Sequence, residues 1–388
     1  MTLGDRSSPD DQAVPPKLTR NLRGRLRLGI GALLLSATAC GSSAGATQTN
    51  RDAQHGATPS AAATAWPLFA DIPSPSAAPT ATPDQSPMSF APASARPTST
   101  ARPAPTFAPT GPVLGGCQVF PQSNPWNQDV ATAPVDPNSA SYIASIDSSR
   151  QFLHADFGAD PSYGIPYVVV PASQPMVAIT FTAYGGESDP GPYPVPINAA
   201  IEQGGDAHVL VADSGNCRLY ELYHASRHGG GWAADSGAVF DLHSNALRTD
   251  GWTSADAAGL PILPGLVRYE EVAAGVIDHA LRFTVQQTQN GFIHPATHEA
   301  GVNNSSDPPM GLRLRLSASF DLTAFHGESL VILTALKRYG MFVADNGSSW
   351  FVSGATDSRW NGTDLDQLKT VPGSAFEVVQ SGPILHVR

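Results

Sequence analysis

Residues 275–301, GVIDHALRFTVQQTQNGFIHPATHEAG, bring Asp278, His279, His294, His298 and Glu299 within 22 positions of a chain that has only 11 histidines. Imidazoles beside carboxylates can move protons or hold a metal ion, so the elements that carry them decide the chemistry. His294 and His298 have the i, i+4 spacing of two ligands on one helical face, but Pro295 lies between them and Gly291 and Gly301 flank them. That context is a loop. A metal centre there would need further ligands that the sequence does not nominate, and no metal or cofactor is expected. Read as a strand, VIDHALRFTV puts Ile277, His279, Leu281, Phe283 and Val285 in one row. His279 is then either a core histidine with one hydrogen bond or a neutral base on the concave face of a sheet.

Carboxylates form a second constellation. Glu221 shares a strand face with Leu219 and Tyr223 in CRLYELYH, and Asp241 shares one with Val239 in AVFDLHS. Two such acids on adjacent strands facing one groove, one protonated and one ionised, suit glycosidic-bond hydrolysis; the alternative is that each bonds a backbone turn. Asp345 ends the strand MFVAD before Asn346 and Gly347, a pair expected to form a hairpin turn with positive φ, or else it is a strand-end carboxylate at a cleft. Trp232, Trp252, Trp350 and Trp360 lie at glycine-rich or polar turns. Flat aromatic faces there can stack on sugar rings or pack beneath loops.

The elements that must position these groups read as short apolar runs separated by Gly, Pro, Asn and Asp. YVVVP, VAITFTAY, HVLVAD, CRLYELYH, GAVFDL, HALRFTV, LRLRLSASFDL, MFVAD and WFVSG are strand candidates. Leu312, Leu314 and Leu316 alternate with Arg313, Arg315 and Ser317, which predicts a sheet with one buried and one wetter face. ESLVILTALKRYG reads as a helix with Lys337 and Arg338 in its last turn and Gly340 ending it. TDLDQLK opens with Thr363 and Asp366 in capping-box spacing, and TSADAAG predicts one short helical turn. The proportions predict a mainly β domain, a β-sandwich or jelly roll with a few short helices, over residues 117–388. No GxGxxG, P-loop, GxSxG or HExxH motif occurs, so nucleotide cofactors, serine-hydrolase elbows and zincin chemistry have no sequence support.

Ahead of this domain, basic residues from Lys17 to Arg27 run into the apolar segment LGIGALLLSATAC. Residues 1–40 thus read as a secretory signal, too short for a spanning helix. Its end at Cys40 is similar to the lipobox of bacterial lipoproteins, with Ala37 where leucine is usual; the alternative is a plain secretory peptide cleaved nearby. Residues 41–116 carry 13 prolines and six charges among Ala, Ser and Thr. Such a segment cannot bury enough apolar surface to order itself and reads as a linker reaching roughly 100–200 Å. With Cys40 lipidated, Cys117 and Cys217 remain as an even pair in an exported chain and predict a disulfide. Residues 117–388 hold 13 Lys and Arg against 27 Asp and Glu, a net charge of −14, which would repel a phosphate backbone and excludes nucleic-acid binding.

The stretches ESDPGPYPVP, AVFDLHSNALRTDGWTSADAAGLPILPGLVRYEEV, DHALRF, PMGLRLRLSASFDL and LKRYGMFVADNGSSWFVSG resemble a group of exported bacterial proteins, lipoproteins among them, over most of residues 120–380. The resemblance implies a single domain type with Asp241, Trp252, Asp256, His279, Arg282 and Asp345 in the shared stretches. Together these readings lead to the expectation of a lipid-anchored, cell-surface protein acting on polysaccharide by glycosidic cleavage. Glu221 and Asp241 would be acid and base or nucleophile, His279 and Arg282 would orient them or bind substrate, Asp345 would line the cleft, and Trp232, Trp252 and Trp350 would be stacking platforms. Two rival expectations are a noncatalytic glycan-binding or envelope-interaction module, and a polysaccharide lyase using His279 and Tyr223. Nothing in the chain sets the oligomeric state.

Overall fold

The computed structural model describes residues 111–147 and 151–387. The secretory signal, Cys40 and nearly all of the linker lie outside the described residues. In chain order the strands are β1 (Val113–Leu114), β2 (Cys117–Gln118), β3 (His154–Asp156), β4 (Tyr167–Val170), β5 (Ile179–Phe181), β6 (Val209–Asp213), β7 (Arg218–Tyr223), β8 (Ser226–His228), β9 (Gly231–Ala234), β10 (Ser236–Asp241), β11 (Leu281–Val285), β12 (Arg313–Leu316), β13 (Met341–Asn346), β14 (Phe351–Ser353) and β15 (Phe376–Val378). The α-helices are α1 (Ser139–Ile146), α2 (Tyr269–Ala273), α3 (Gly327–Arg338) and α4 (Gly362–Leu365). The domain is mainly β with a few short helices, as the alternating runs predict.

Three sheets carry the fold, with orders β10-β7-β6-β4, β15-β12-β13-β11-β14-β3 and β5-β9-β8. Period-two alternation divides the four-stranded sheet between two cores. Leu210, Ala212, Leu219, Ala238 and Phe240 join the main core with the β11 and β13 side chains. Val209, Val211, Tyr220 and Leu222 face the other way and pack with Tyr193, Val195, Trp232 and Ala234. In the six-stranded sheet β11 is parallel to β13 and β14 is parallel to β3. Helix α3 packs on β12, burying Ile332, Leu333 and Leu336, each contributing about 1.5–3 kcal/mol. Lys337 and Arg338 occupy its last turn, and Gly340 ends it at φ 67°, where a Cβ would lie 2.1 Å from the Leu314 carbonyl oxygen.

The described residues begin ahead of Cys117, at Gly111. Leu114 pairs with Cys117 across Gly115 and Gly116, whose φ of 58° and 89° suit a two-residue hairpin turn. Cys117 is disulfide-bonded to Cys217 across 100 residues.

Several local expectations are corrected. Arg313 and Arg315 do not make a wet face: both are 6% exposed. Arg313 donates to the carbonyls of Pro125, Gln128 and Tyr339, and Arg315 donates to Val130 and Ala133 and pairs with Glu377. Segment 125–133, which lacks strand partners of its own, covers the sheet through these guanidinium bonds. The cap of α4 is Asn361, which accepts from Asp364 N, so the Thr363 capping box does not form. TSADAAG makes turns without a helix, because Ser254 and Asp256 bond local backbone groups instead. Asn346–Gly347 is no hairpin turn: β13 and β14 flank β11 on opposite sides, so the connection crosses the end of β11. Positive φ falls on Trp350, at 67°.

Candidate functional site

Register separates the expected acid pair. Glu221 lies opposite Ala238, while Asp241 lies opposite Arg218, three positions along β7. An odd offset puts the two carboxylates on opposite faces of the sheet, so they cannot face one groove. Glu221 is fully buried and accepts hydrogen bonds from Ile262 N and Leu263 N at 2.8–3.0 Å. Burial pushes its carboxyl up to about 7 against the lowering effect of these two N–H groups. Asp241 is exposed and accepts from His243 N in its own turn. Each acid thus bonds backbone, the alternative weighed above.

His279 is sealed at 0% exposure in the segment before β11 rather than in a strand row. Its Nδ1 lies 2.8 Å from the Ala280 carbonyl and its Nε2 lies 3.1 Å from Glu271, which also pairs with buried Arg268. His279 therefore has no path to a substrate and does not join Glu221 and Asp241. The rest of the opening cluster disperses: His294 pairs with Asp250, His298 bonds the Ala257 carbonyl, Asp278 meets Tyr339, and Glu299 lies 3.9 Å from His386.

The stacking platforms are also corrected. Trp232 and Trp350 are buried, the latter stacked on Phe283 and Phe376. Large indoles are drawn under glycine-rich turns because the core gains their area. Trp252 is half-buried with the Arg248 guanidinium 5.8 Å from its ring centre.

Two other groupings have the chemistry of sites. The first is a cleft of about 310 Å³ lined by Pro166, Tyr167, Tyr269, Glu270, Thr356 and Asp357. Beyond β14 the chain is held on one side by Ile165 N donating to Gly354 O and on the other by Ala355 N donating to Val267 O. Tyr167 opens β4 and Tyr269 opens α2, so the cleft lies where the three segments part. Gly164 allows the approach: at φ 83°, a Cβ there would come within 2.9–3.1 Å of the backbone of residues 354–356. The Arg359 guanidinium lies 4.2 Å from the Tyr269 ring centre and pairs with Glu270 and Asp357. Tyr167 Oη lies 3.5 Å from Glu270, and burial followed by the Glu270 charge pushes its phenol up to about 12, so it stays a neutral donor. The cleft offers two phenol walls and carboxylate acceptors held in place by the Arg359 guanidinium.

The second grouping is a buried charge network. Arg282 donates to Asp256 and Ser353 at 2.7–3.0 Å and lies 4.0 Å from Asp345, which places two of the expected residues together. Burial alone would lower this guanidinium, and Asp256, Asp345 and Glu202 reverse the shift upward. Nearby, His208 contacts Glu202 at 2.5 Å, and their ligand atoms lie within 4.8 Å of Asp206. Burial, then Asp206 and Asp345, push the Tyr223 phenol up to about 12, so it stays protonated.

The cleft was not nominated from sequence, and of the charge network only Asp256, Arg282 and Asp345 were. Tyr269, Glu270 and Arg268 sit within VRYEEV, and the aromatic beside paired acids was the available signal for the cleft. Asp206 and His208 flank the start of HVLVAD at i, i+2, a spacing that puts both on one side of an entering strand. Glu202 gave no signal, since its approach depends on the fold of residues 202–208. No family model, curated protein or solved structure matches this chain.

Proposed function

We propose that the chain is an exported protein that binds neutral polysaccharide at the Tyr167–Tyr269 cleft without cleaving it, held at the cell surface by a lipid on Cys40 and the Pro-rich linker. The observation that carries this reading is the cleft itself: concave, walled by two tyrosines, and furnished with Glu270, Asp357 and Thr356 for hydroxyl groups, the two carboxylates being held by Arg359. Aromatic faces with a few convergent polar groups suit sugar rings. The dispersal of Glu221, Asp241 and His279 removes the arrangement that cleavage required. The net charge of −14 over residues 117–388 disfavours uronate polymers. The Cys117–Cys217 disulfide fits an oxidising compartment, and no helix among the described residues is long and apolar enough to cross a membrane.

Calorimetric titration of the purified protein with β-glucan, xylan and chitin oligosaccharides, and with a polyuronate as control, tests the proposal. Tyr269→Ala should weaken binding of the preferred neutral glycan about tenfold or more, and Tyr167→Phe should weaken it less. Asp357→Asn, which leaves the tyrosine walls in place, should also reduce affinity. Absence of binding across the panel, or affinities unchanged in all three variants, would refute the assignment, and release of oligosaccharides would refute its noncatalytic part.

A further inference from the structure

The His208 imidazole is fixed at both nitrogens. Its Nε2 lies 3.0 Å from the Ala255 carbonyl, and a carbonyl only accepts, so Nε2 carries the proton. A neutral ring then turns the bare lone pair of Nδ1 toward Glu202 Oε2, 2.5 Å away. Two lone pairs at that distance repel, so a positive species closes the pair: a proton or a metal ion.

Two observations outside the pair favour the metal. Asp206 brings a third donor, with the ligand atoms of all three residues within 4.8 Å of one another; His208 and Asp206 are both buried. The surroundings are also acidic. The Arg282 guanidinium is bonded to Asp256, lies 4.0 Å from Asp345 and also feels the Glu202 charge. The bond from Nε2 to a backbone carbonyl is the outer contact that orients metal-bound histidines.

We propose that Glu202, Asp206 and His208 form a site for a divalent transition ion, Zn²⁺ by its donor set. One imidazole and two carboxylates suit Zn²⁺ better than Ca²⁺ or Mg²⁺, which prefer all-oxygen shells. Three protein ligands leave a fourth position for water or a ligand group. Metal–ligand bonds near 2.0 Å at a tetrahedral angle hold donors about 3.3 Å apart, so loading moves Glu202 outward by about 1 Å. Gly204 and Gly205, with open space around them, lie between the ligands and allow that movement. The site is independent of glycan binding at the cleft.

The test uses the full chain, stripped with a chelator and titrated with ZnCl₂ by calorimetry, with metal content measured after dialysis. The expected result is one Zn²⁺ per chain, with affinity lowered at least about tenfold in both Glu202→Gln and Asp206→Asn. Melting temperatures of the metal-free variants, within a few degrees of wild type, show that folding is kept; His208→Ala is avoided because the residue is buried. Three results would overturn the proposal: no saturable Zn²⁺ binding, binding unchanged in both variants, or a preference for Ca²⁺ or Mg²⁺ over Zn²⁺ at these residues.

Discussion

Replacing Glu221 by glutamine tests whether this fully buried carboxyl of the main core is a structural group that costs stability when charged. Its environment raises it from about 4.5 to about 7. Below about pH 4.5 it is protonated in folded and unfolded chains alike and leaves stability unaffected. Between these values the unfolded chain releases the proton and the folded one keeps it, so folding weakens as pH rises; above about 7 the full cost is present. At 1.36 kcal/mol per pH unit, the group accounts for a loss of about 3 kcal/mol across the window. Glutamine cannot titrate, and its amide nitrogen would oppose the Ile262 N–H, an offset of about 1–3 kcal/mol that does not change with pH. Urea unfolding of wild type and Glu221→Gln, followed by tryptophan fluorescence from pH 4.5 to 8, should therefore show wild type losing about 3 kcal/mol relative to the variant as pH increases. A difference that stays flat within about 0.5 kcal/mol, or that grows in favour of wild type at high pH, refutes the reasoning. The second outcome would mean that the two backbone N–H groups outweigh burial.

Arg313→Met should cost about 3–5 kcal/mol in the same assay, because the carbonyls of Pro125, Gln128 and Tyr339 lose their buried donor. Replacing both Cys117 and Cys217 by serine opens a 100-residue loop and should lower stability by about 2–5 kcal/mol, measured as the denaturant midpoint under non-reducing conditions. Asp241→Ala, at an exposed turn, should change stability by less than about 1 kcal/mol and leave glycan affinity unchanged; a large loss of either would restore a functional role to this carboxylate.

What the sequence made legible follows the range over which each signal acts. Period-two alternation and helix-end chemistry are local, and they marked β6, β7, β11, β12 and α3 with its stop at Gly340. The Cys117–Cys217 bond came from counting thiols in a chain whose N-terminus reads as a secretory signal. Facing was not legible: Glu221 and Asp241 are parted by a register that the strands themselves do not state, and one residue of slip reverses the answer. Burial of polar side chains was equally hidden. Arg313 and Arg315 alternate as solvent-facing residues do, yet segment 125–133 closes over them, and no periodicity announces a covering loop. Tryptophans near turns signalled exposure wrongly because Trp350 is carried inward by a backbone with φ 67°. The cleft draws residues from segments roughly 85–190 positions apart and the His208 grouping from an irregular loop, neither of which a single sequence makes legible.

The bond at Cys117 has a mechanical meaning for a domain held from its amino-terminal side. Tension entering at Gly111 would peel the two-residue β1–β2 ladder first, then arrive at Cys117 and pass through sulfur to Cys217, at the turn between β6 and β7. Everything from Gln118 to Asn216 lies inside a covalent ring and is spared that load, including Tyr167 at the cleft. A body swept by flow on such a leash would lengthen by a few residues and then stop yielding, because the next element in line is a disulfide.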